Sequence, residues 1–243
     1  PSFRQADSMQ FGLAQLWEGG WIGALLRGGS ITIAVGFGAM LLGLVIGIAS
    51  GLIKWGQVRP LNWLVDIYTT VVRGVPELLI IYLLFFSSVE FVARIGTAFG
   101  WAGLADTGYP FLIGVIAIGT ISGSYATEVV RGALAAIPKG HIEAARALGM
   151  PRKRIFRRII LPQMLRIAVP GLNNIWQATR KDTALISVVG LQELMRTAFI
   201  GAGSTRNPFI FYLIAGALYL VITFVSQIGF RRAERALVLK GRA

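Results

Sequence analysis

Residues 28–53 read GGSITIAVGFGAMLLGLVIGIASGLI, 26 positions between Arg27 and Lys54 without a charged side chain. An α-helix rises about 1.5 Å per residue and the hydrocarbon core of a bilayer is about 30 Å thick, so roughly 20 apolar residues cross it. This stretch meets that length. Two others do as well: 21 uncharged residues between Asp106 and Glu128, and 24 between Arg206 and Arg231. The whole chain has the same character, with 55% hydrophobic and 14% charged residues. Soluble domains carry about 25% charged residues. The sequence therefore predicts an all-α polytopic membrane protein.

Two further segments are apolar but interrupted. Residues 61–89 contain Asp66, Arg73 and Glu77, and residues 167–189 contain Arg180, Lys181 and Asp182. A charge in mid-membrane costs a few kcal/mol on insertion scales, so these groups must face other helices or a wet cavity. Counting both gives five transmembrane helices, at about 28–53, 61–89, 107–128, 167–189 and 207–230. The polar breaks at 54–60, 94–108 and 201–208 read as short turns, so residues 1–243 form a single domain. Pro1–Leu16 carries Arg4 and Asp7 and no compact apolar core, which argues against a cleavable signal. Pro1 stands where a translated chain has Met, so a few residues are expected to precede it.

The net charge of +13 is best read by placement. With the N-terminus periplasmic and the C-terminus cytoplasmic, sixteen of the 24 cations lie inside and five outside. Nine of the sixteen lie in the loop 131–166. That is the distribution the positive-inside rule requires, and it removes the reading of a nucleic-acid-binding protein. There is no cysteine, and His141 is the one histidine. Disulfides, thiolate metal sites and His-based metal clusters are thereby excluded. Neither a P-loop nor a hydrolase motif such as HExxH or GxSxG is present. The chain is not an enzyme, and ATP hydrolysis would require a partner. Gly43, Gly47 and Gly51 recur at intervals of four, a spacing that lets helix backbones approach closely.

The basic loop has an order that topology does not explain. It begins IPKGHIEAARALGMP, a turn followed by strong helix formers. Ala144, Ala145, Leu148 and Gly149 fall on one helical stripe, small and mildly apolar. Gly149 suits a helix end and Pro151 prevents direct continuation. A lipid-surface helix would need larger apolar residues than alanine, so the loop predicts a short rigid helix that enters a groove on another protein.

Glu143-Ala144-Ala145, three residues, Gly149, nine residues, Ile159, one residue and Leu161-Pro162 match the EAA motif, EAA-x3-G-x9-I-x-LP, at every fixed position. Arg73-Gly74-Val75-Pro76-Glu77-Leu78 resembles an RGxP signature. Lys181-Asp182-Thr183-Ala184-Leu185 resembles a KDTSL segment, with Ala184 in place of Ser, and Phe230–Leu237 reads FRRAERAL. Over about residues 12–237 the chain resembles ABC importer permeases of the polar amino-acid family, most closely the Q-type subunits for histidine, arginine, octopine and nopaline. The resemblance implies a type I importer transmembrane domain in a bacterial inner membrane. It implies a second homologous permease subunit forming a heterodimer, two ATP-binding subunits, and a periplasmic solute-binding protein that delivers an amino acid. ATP and magnesium would sit on those partners, with no cofactor in this chain. Glu143, Ala144, Ala145 and Gly149 would form the coupling helix that docks into the ATPase.

Ionisable groups within the membrane are candidates for the solute pathway. Glu77 and Asp182 are the acidic ones and Arg73 a basic one; a cationic solute in a drying cavity needs a carboxylate partner. Arg73–Glu77 and Lys181–Asp182 could instead neutralise each other, and Glu128 is expected to pair with Arg131. The alternatives are an ABC permease for another small polar solute and an ion-coupled secondary transporter. The second explains neither the EAA spacing nor the absence of repeated halves.

Overall fold

The computed structural model describes residues 19–98 and 108–239, with side chains placed except at 89–93, 95–98 and 237–239. Residues 1–18, 99–107 of the expected 94–108 turn, and Lys240 and Arg242 of the basic tail lie outside the described residues. The described residues are almost wholly helical, with no strand among them. In chain order the helices are α1 (Trp21–Gly56), α2 (Arg59–Gly74), α3 (Glu77–Ala98), α4 (Gly108–Ala135), α5 (Lys139–Ala147), α6 (Arg152–Ile155), α7 (Leu161–Asp182), α8 (Leu194–Thr205) and α9 (Pro208–Leu239). A π turn at Phe156–Ile160 leads into α7, and a 3-10 segment at Thr183–Val189 follows it. Three helices, α1, α4 and α9, are long and apolar enough to span a membrane. Two broken pairs raise the number of candidate spans to as many as five.

Helix boundaries depart from expectation where proline or a cap intervenes. The segment 61–89 is two helices, not one. Val75 is extended (φ −100°, ψ 139°), as a residue before proline is driven to be, and Pro76 offers no N–H to continue the ladder. The basic loop is shorter than 131–166, because residues 131–135 belong to α4 and 161–166 to α7. The π turn precedes Pro162, and Leu161 N–H reaches back to Phe156 O. Such a turn is a known way to seat a break in the i→i−4 ladder. The stretch 201–208 is not a turn throughout: α8 runs to Thr205, burying Leu194, Thr197, Ala198, Gly201 and Ala202 on one stripe.

The described residues fall into two units. The first draws on the described residues within Pro1–Gly38, Leu78–Ile118 and Arg180–Phe224. Its core is Leu25, Leu194, Ala198, Ala202, Ile210, Phe211 and Ala215, with the Trp21 ring edge-on to Phe211 at 5.4 Å. The second draws on the described residues within Ala39–Glu77, Gly119–Thr179 and Val225–Ala243. Its largest core cluster joins Val130, Ala133, Leu134, Ile137, Ala145, Ile155, Ile160, Met164 and Ala168.

The glycine ladder of α1 packs as its spacing implies. A side chain at Gly43, Gly47 or Gly51 would collide with Ser122, Ala126 or Val130 of α4, themselves four apart. A Cβ on Gly51 would stand 2.6 Å from Val130 Cγ1. Close backbone contact of this kind replaces the hydrophobic drive that helices lack in lipid.

Candidate functional site

The second unit carries the loop singled out by its sequence. Pro138 opens α5, and Ala144 and Ala145 lie in its last turns. Its end is a Schellman cap: Met150 N–H bonds Ala145 O at 3.1 Å and Gly149 N–H bonds Arg146 O at 2.9 Å. That cap requires a left-handed residue at the position of Gly149, which has φ +72°. Met150 folds back onto the same core as Ala145. His141 Nδ1 meets Gln163 Oε1 at 3.0 Å, tying α5 to the start of α7.

The expected docking stripe divides in two. Glu143, Ala144 and Gly149 are exposed, and Leu148 is 81% exposed. Ala145 is 3% exposed and sits in the cluster with Val130, Ala133 and Leu134 of α4 and Met164 and Ala168 of α7. One turn of α5 thus presents a small outer face while its other face is held by two long helices. Interiors are close-packed and resist compression, so a push on α5 is passed to α4 and α7. The two alanines have different consequences. Ala145→Trp overpacks the core and lowers stability by about 1–3 kcal/mol. Ala144→Trp leaves thermal stability within about 0.5 kcal/mol, as surface changes do, and lowers co-purification of a partner only if the outer face is where that partner docks. Melting and co-purification, measured on both variants, separate the two.

Beside this seat lies a charged cleft of about 540 Å³, lined by Lys54, Asp66, Thr69, Thr70, Arg73, Gly74, Tyr125 and Glu128. Lys54 Nζ bonds Asp66 Oδ1 at 2.9 Å and Glu128 Oε1 at 2.7 Å, so one ammonium ties α1 to α2 and α4. Glu128 Oε2 also accepts from Arg131 Nε at 2.8 Å, the pairing expected from sequence. Lys54 was expected in a turn at 54–60; α1 runs on to Gly56 and makes it a cross-helix bridge instead. The only signal in the sequence was an acid in each of the neighbouring segments.

Of the three solute candidates, Arg73 and Glu77 belong to the second unit and Asp182 to the first. Arg73 lines the cleft, its guanidinium over the Tyr125 ring at 5.4 Å. It forms no ion pair with Glu77 among the described residues. Glu77 does not line the cleft; it is half-buried in the first turn of α3, where an acid complements the helix dipole. Asp182 ends α7 in the first unit and is half-buried. His141 has the positioning contact already described.

Sequence reasoning missed a buried carboxylate in the first unit. Glu193 has 0% exposure and caps α8, accepting from Met195 N–H at 2.9 Å and Arg196 N–H at 2.7 Å. Thr32 Oγ1 and Tyr219 Oη each donate to its Oε2 at 3.2 Å. Arg180, only 2% exposed, donates from Nη1 to Tyr219 O at 3.0 Å. Glutamate is an uncommon cap, so neither residue type nor spacing marked it.

Residues 22–238 match the family described as binding-protein-dependent transport system inner membrane component. Octopine transport system permease protein OccQ of Rhizobium radiobacter is 49% identical over 215 residues, covering 88% of this chain and 90% of that protein. Nopaline transport system permease protein NocQ of Agrobacterium fabrum is 46% identical, covering 93% of this chain and 96% of that protein. Histidine/lysine/arginine/ornithine transport system permease protein HisQ of Escherichia coli is 39% identical, with 86% and 90% covered. Among solved structures, an amino acid ABC transporter crystallised with histidines aligns with a TM-score of 0.76 at 28% identity, over 91% of this chain and 97% of that one. The inward-facing MetNI methionine ABC transporter shares the fold, with a TM-score of 0.68 over 92% of this chain and 98% of that one. With a match across nearly its whole length and relatives close to half identical, the chain belongs to the family of inner membrane components of binding-protein-dependent transport systems.

Proposed function

We propose that the chain is the membrane permease subunit of an ATP-driven importer that carries basic amino acids or opines across a bacterial inner membrane. One observation carries the reading of coupling: α5 has a bare outer face and an inner face locked to α4 and α7. Glu143, Ala144 and Gly149 meet the ATPase, and Ala145 passes its movement into the membrane helices. Rigid-body transmission through packed helices is an established route for such switching. Residues 1–243 act as one permease domain with five spans, the N-terminus outside and the basic loop and tail inside, as the charge bias favours. A second, different permease subunit completes the pathway. ATP and magnesium are held by two partner subunits, and a periplasmic binding protein delivers the solute. The octopine, nopaline and basic amino-acid relatives support the solute class.

Purifying the tagged chain with its partners, and identifying them by mass, tests this directly. Recovery of the chain alone, active in uptake without ATP, would favour an ion-coupled carrier and overturn the reading. Glu77, Asp182 and Arg73 are the proposed solute-pathway residues. Glu77→Gln is expected to raise the half-saturating concentration of a cationic solute by about tenfold, the worth of one charge-assisted hydrogen bond, with subunit assembly unaltered. An unchanged half-saturation removes Glu77 from the pathway and leaves another small polar solute as the better reading.

A further inference from the structure

The positive-inside rule accounts for the sign of the basic loop but not for five cations in seven positions. Arg152, Lys153, Arg154, Arg157 and Arg158 are all exposed. None has an acidic or hydrogen-bonding side-chain partner among the described residues. Two cations of the same unit show the contrast: Lys54 has two carboxylates and Arg131 has one. The sequence contains no Asp or Glu from Ala144 through Lys181.

These cations are also held in place. Lys153 and Arg157 are four apart, as are Arg154 and Arg158, so α6 and the π turn set like charges one above the other. Such pairs destabilise a helix. The segment cannot spread to relieve them, because Ile155 and Ile160 are anchored in the core cluster. Pro151, Lys153, Arg154, Arg157 and Arg158 line a cleft of about 540 Å³ that has no acidic residue in its wall. A rigid cationic cleft without a counter-charge is complementary to an anion.

The geometry points to an anionic phospholipid headgroup, its phosphate held by Lys153, Arg154, Arg157 and Arg158. Guanidinium forks match phosphate oxygens in pairs. Within two turns the same rod exposes the apolar side chains of Leu165 and Ile167, on either side of the exposed Arg166. Cations followed by exposed carbon are the order met on passing from headgroups to acyl chains. An acidic protein surface would meet the charge but has no need of that sequel. Because α6 follows α5 directly and shares its core, a bound headgroup also steadies the coupling helix.

The test compares the full chain with a quadruple variant, K153Q/R154Q/R157Q/R158Q. All four side chains are exposed, so the fold is retained. Each protein is taken through vesicles of phosphatidylcholine containing about a third phosphatidylglycerol, then extracted in detergent, and its retained lipid is identified by mass. The full chain is expected to enrich phosphatidylglycerol over phosphatidylcholine, and the variant to lose that enrichment by about tenfold or more. Equal enrichment in both proteins overturns the proposal. So does loss of ATP-binding partners from the variant with no change in lipid, which would assign the cations to a protein interface. If the quadruple variant is not recovered, R154Q/R158Q and K153Q/R157Q are each expected to show a partial loss. This readout does not depend on transport, so it can fail while the importer reading stands.

Discussion

Lys54→Met is expected to lower the melting temperature of the purified chain by several degrees and to abolish coupled uptake. The lysine is 11% exposed and is shared by Asp66 and Glu128. Removing one partner from a buried pair costs about 3–5 kcal/mol. Asp66 is 62% exposed and Glu128 retains Arg131, so screening by water brings the expectation down to about 1–3 kcal/mol. Uptake suffers more, because Glu128 lies two residues before Val130–Leu134, the part of α4 that seats α5. Lys54→Arg should restore most stability. The double variant Lys54→Met with Glu128→Gln should lose less than the sum of the single losses, since the shared interaction disappears only once. Additive losses, measured by thermal unfolding in detergent, would show that the bridge contributes nothing.

Gly149 is the second position where a single change should have a large effect. Gly149→Val is expected to reduce ATP-driven uptake more than tenfold while the protein still inserts. A residue with a Cβ in the left-handed region costs roughly 1–2 kcal/mol, and a β-branched one is the poorest fit. Within this chain nothing lies within 4 Å of where a Cβ would go, so the constraint is the φ of +72° and not crowding. Gly149→Asn, which tolerates that conformation, should keep most uptake. Should Asn fail as badly as Val, the glycine is bare for the sake of a partner that approaches it, and the backbone reading is wrong. Uptake measured alongside partner co-purification distinguishes these.

Much of this was legible from order alone. The EAA spacing, the Gly149 cap and the glycine ladder of α1 are local: each follows from helix geometry over a few turns and is met in the structure where the spacing puts it. The pairing of Glu128 with Arg131 is likewise a one-turn relation. Less legible was anything that depends on which helix lies opposite. The small-residue stripe of α5 read as one docking face, but Ala145 turned inward because α4 and α7 close over it. Arg73 and Glu77, four residues apart, looked like a pair until Pro76 broke the helix between them and left Arg73 on Tyr125. Helix α8 escaped notice because its buried stripe consists mostly of small residues.

What order alone established is the membrane character, the principal helices and the short capped helix of the basic loop. Insertion into lipid is decided by uninterrupted apolar length, and caps by single residues, both of which can be counted along a chain. The fold had to supply the bridge from Lys54 to Asp66 and Glu128, the buried Glu193, and the cations of α6 and the π turn that are unpaired among the described residues. Each is a question of whether a charge finds a partner from a distant segment. A carboxylate tens of residues away either arrives within 3 Å or does not, and no spacing rule carries that information.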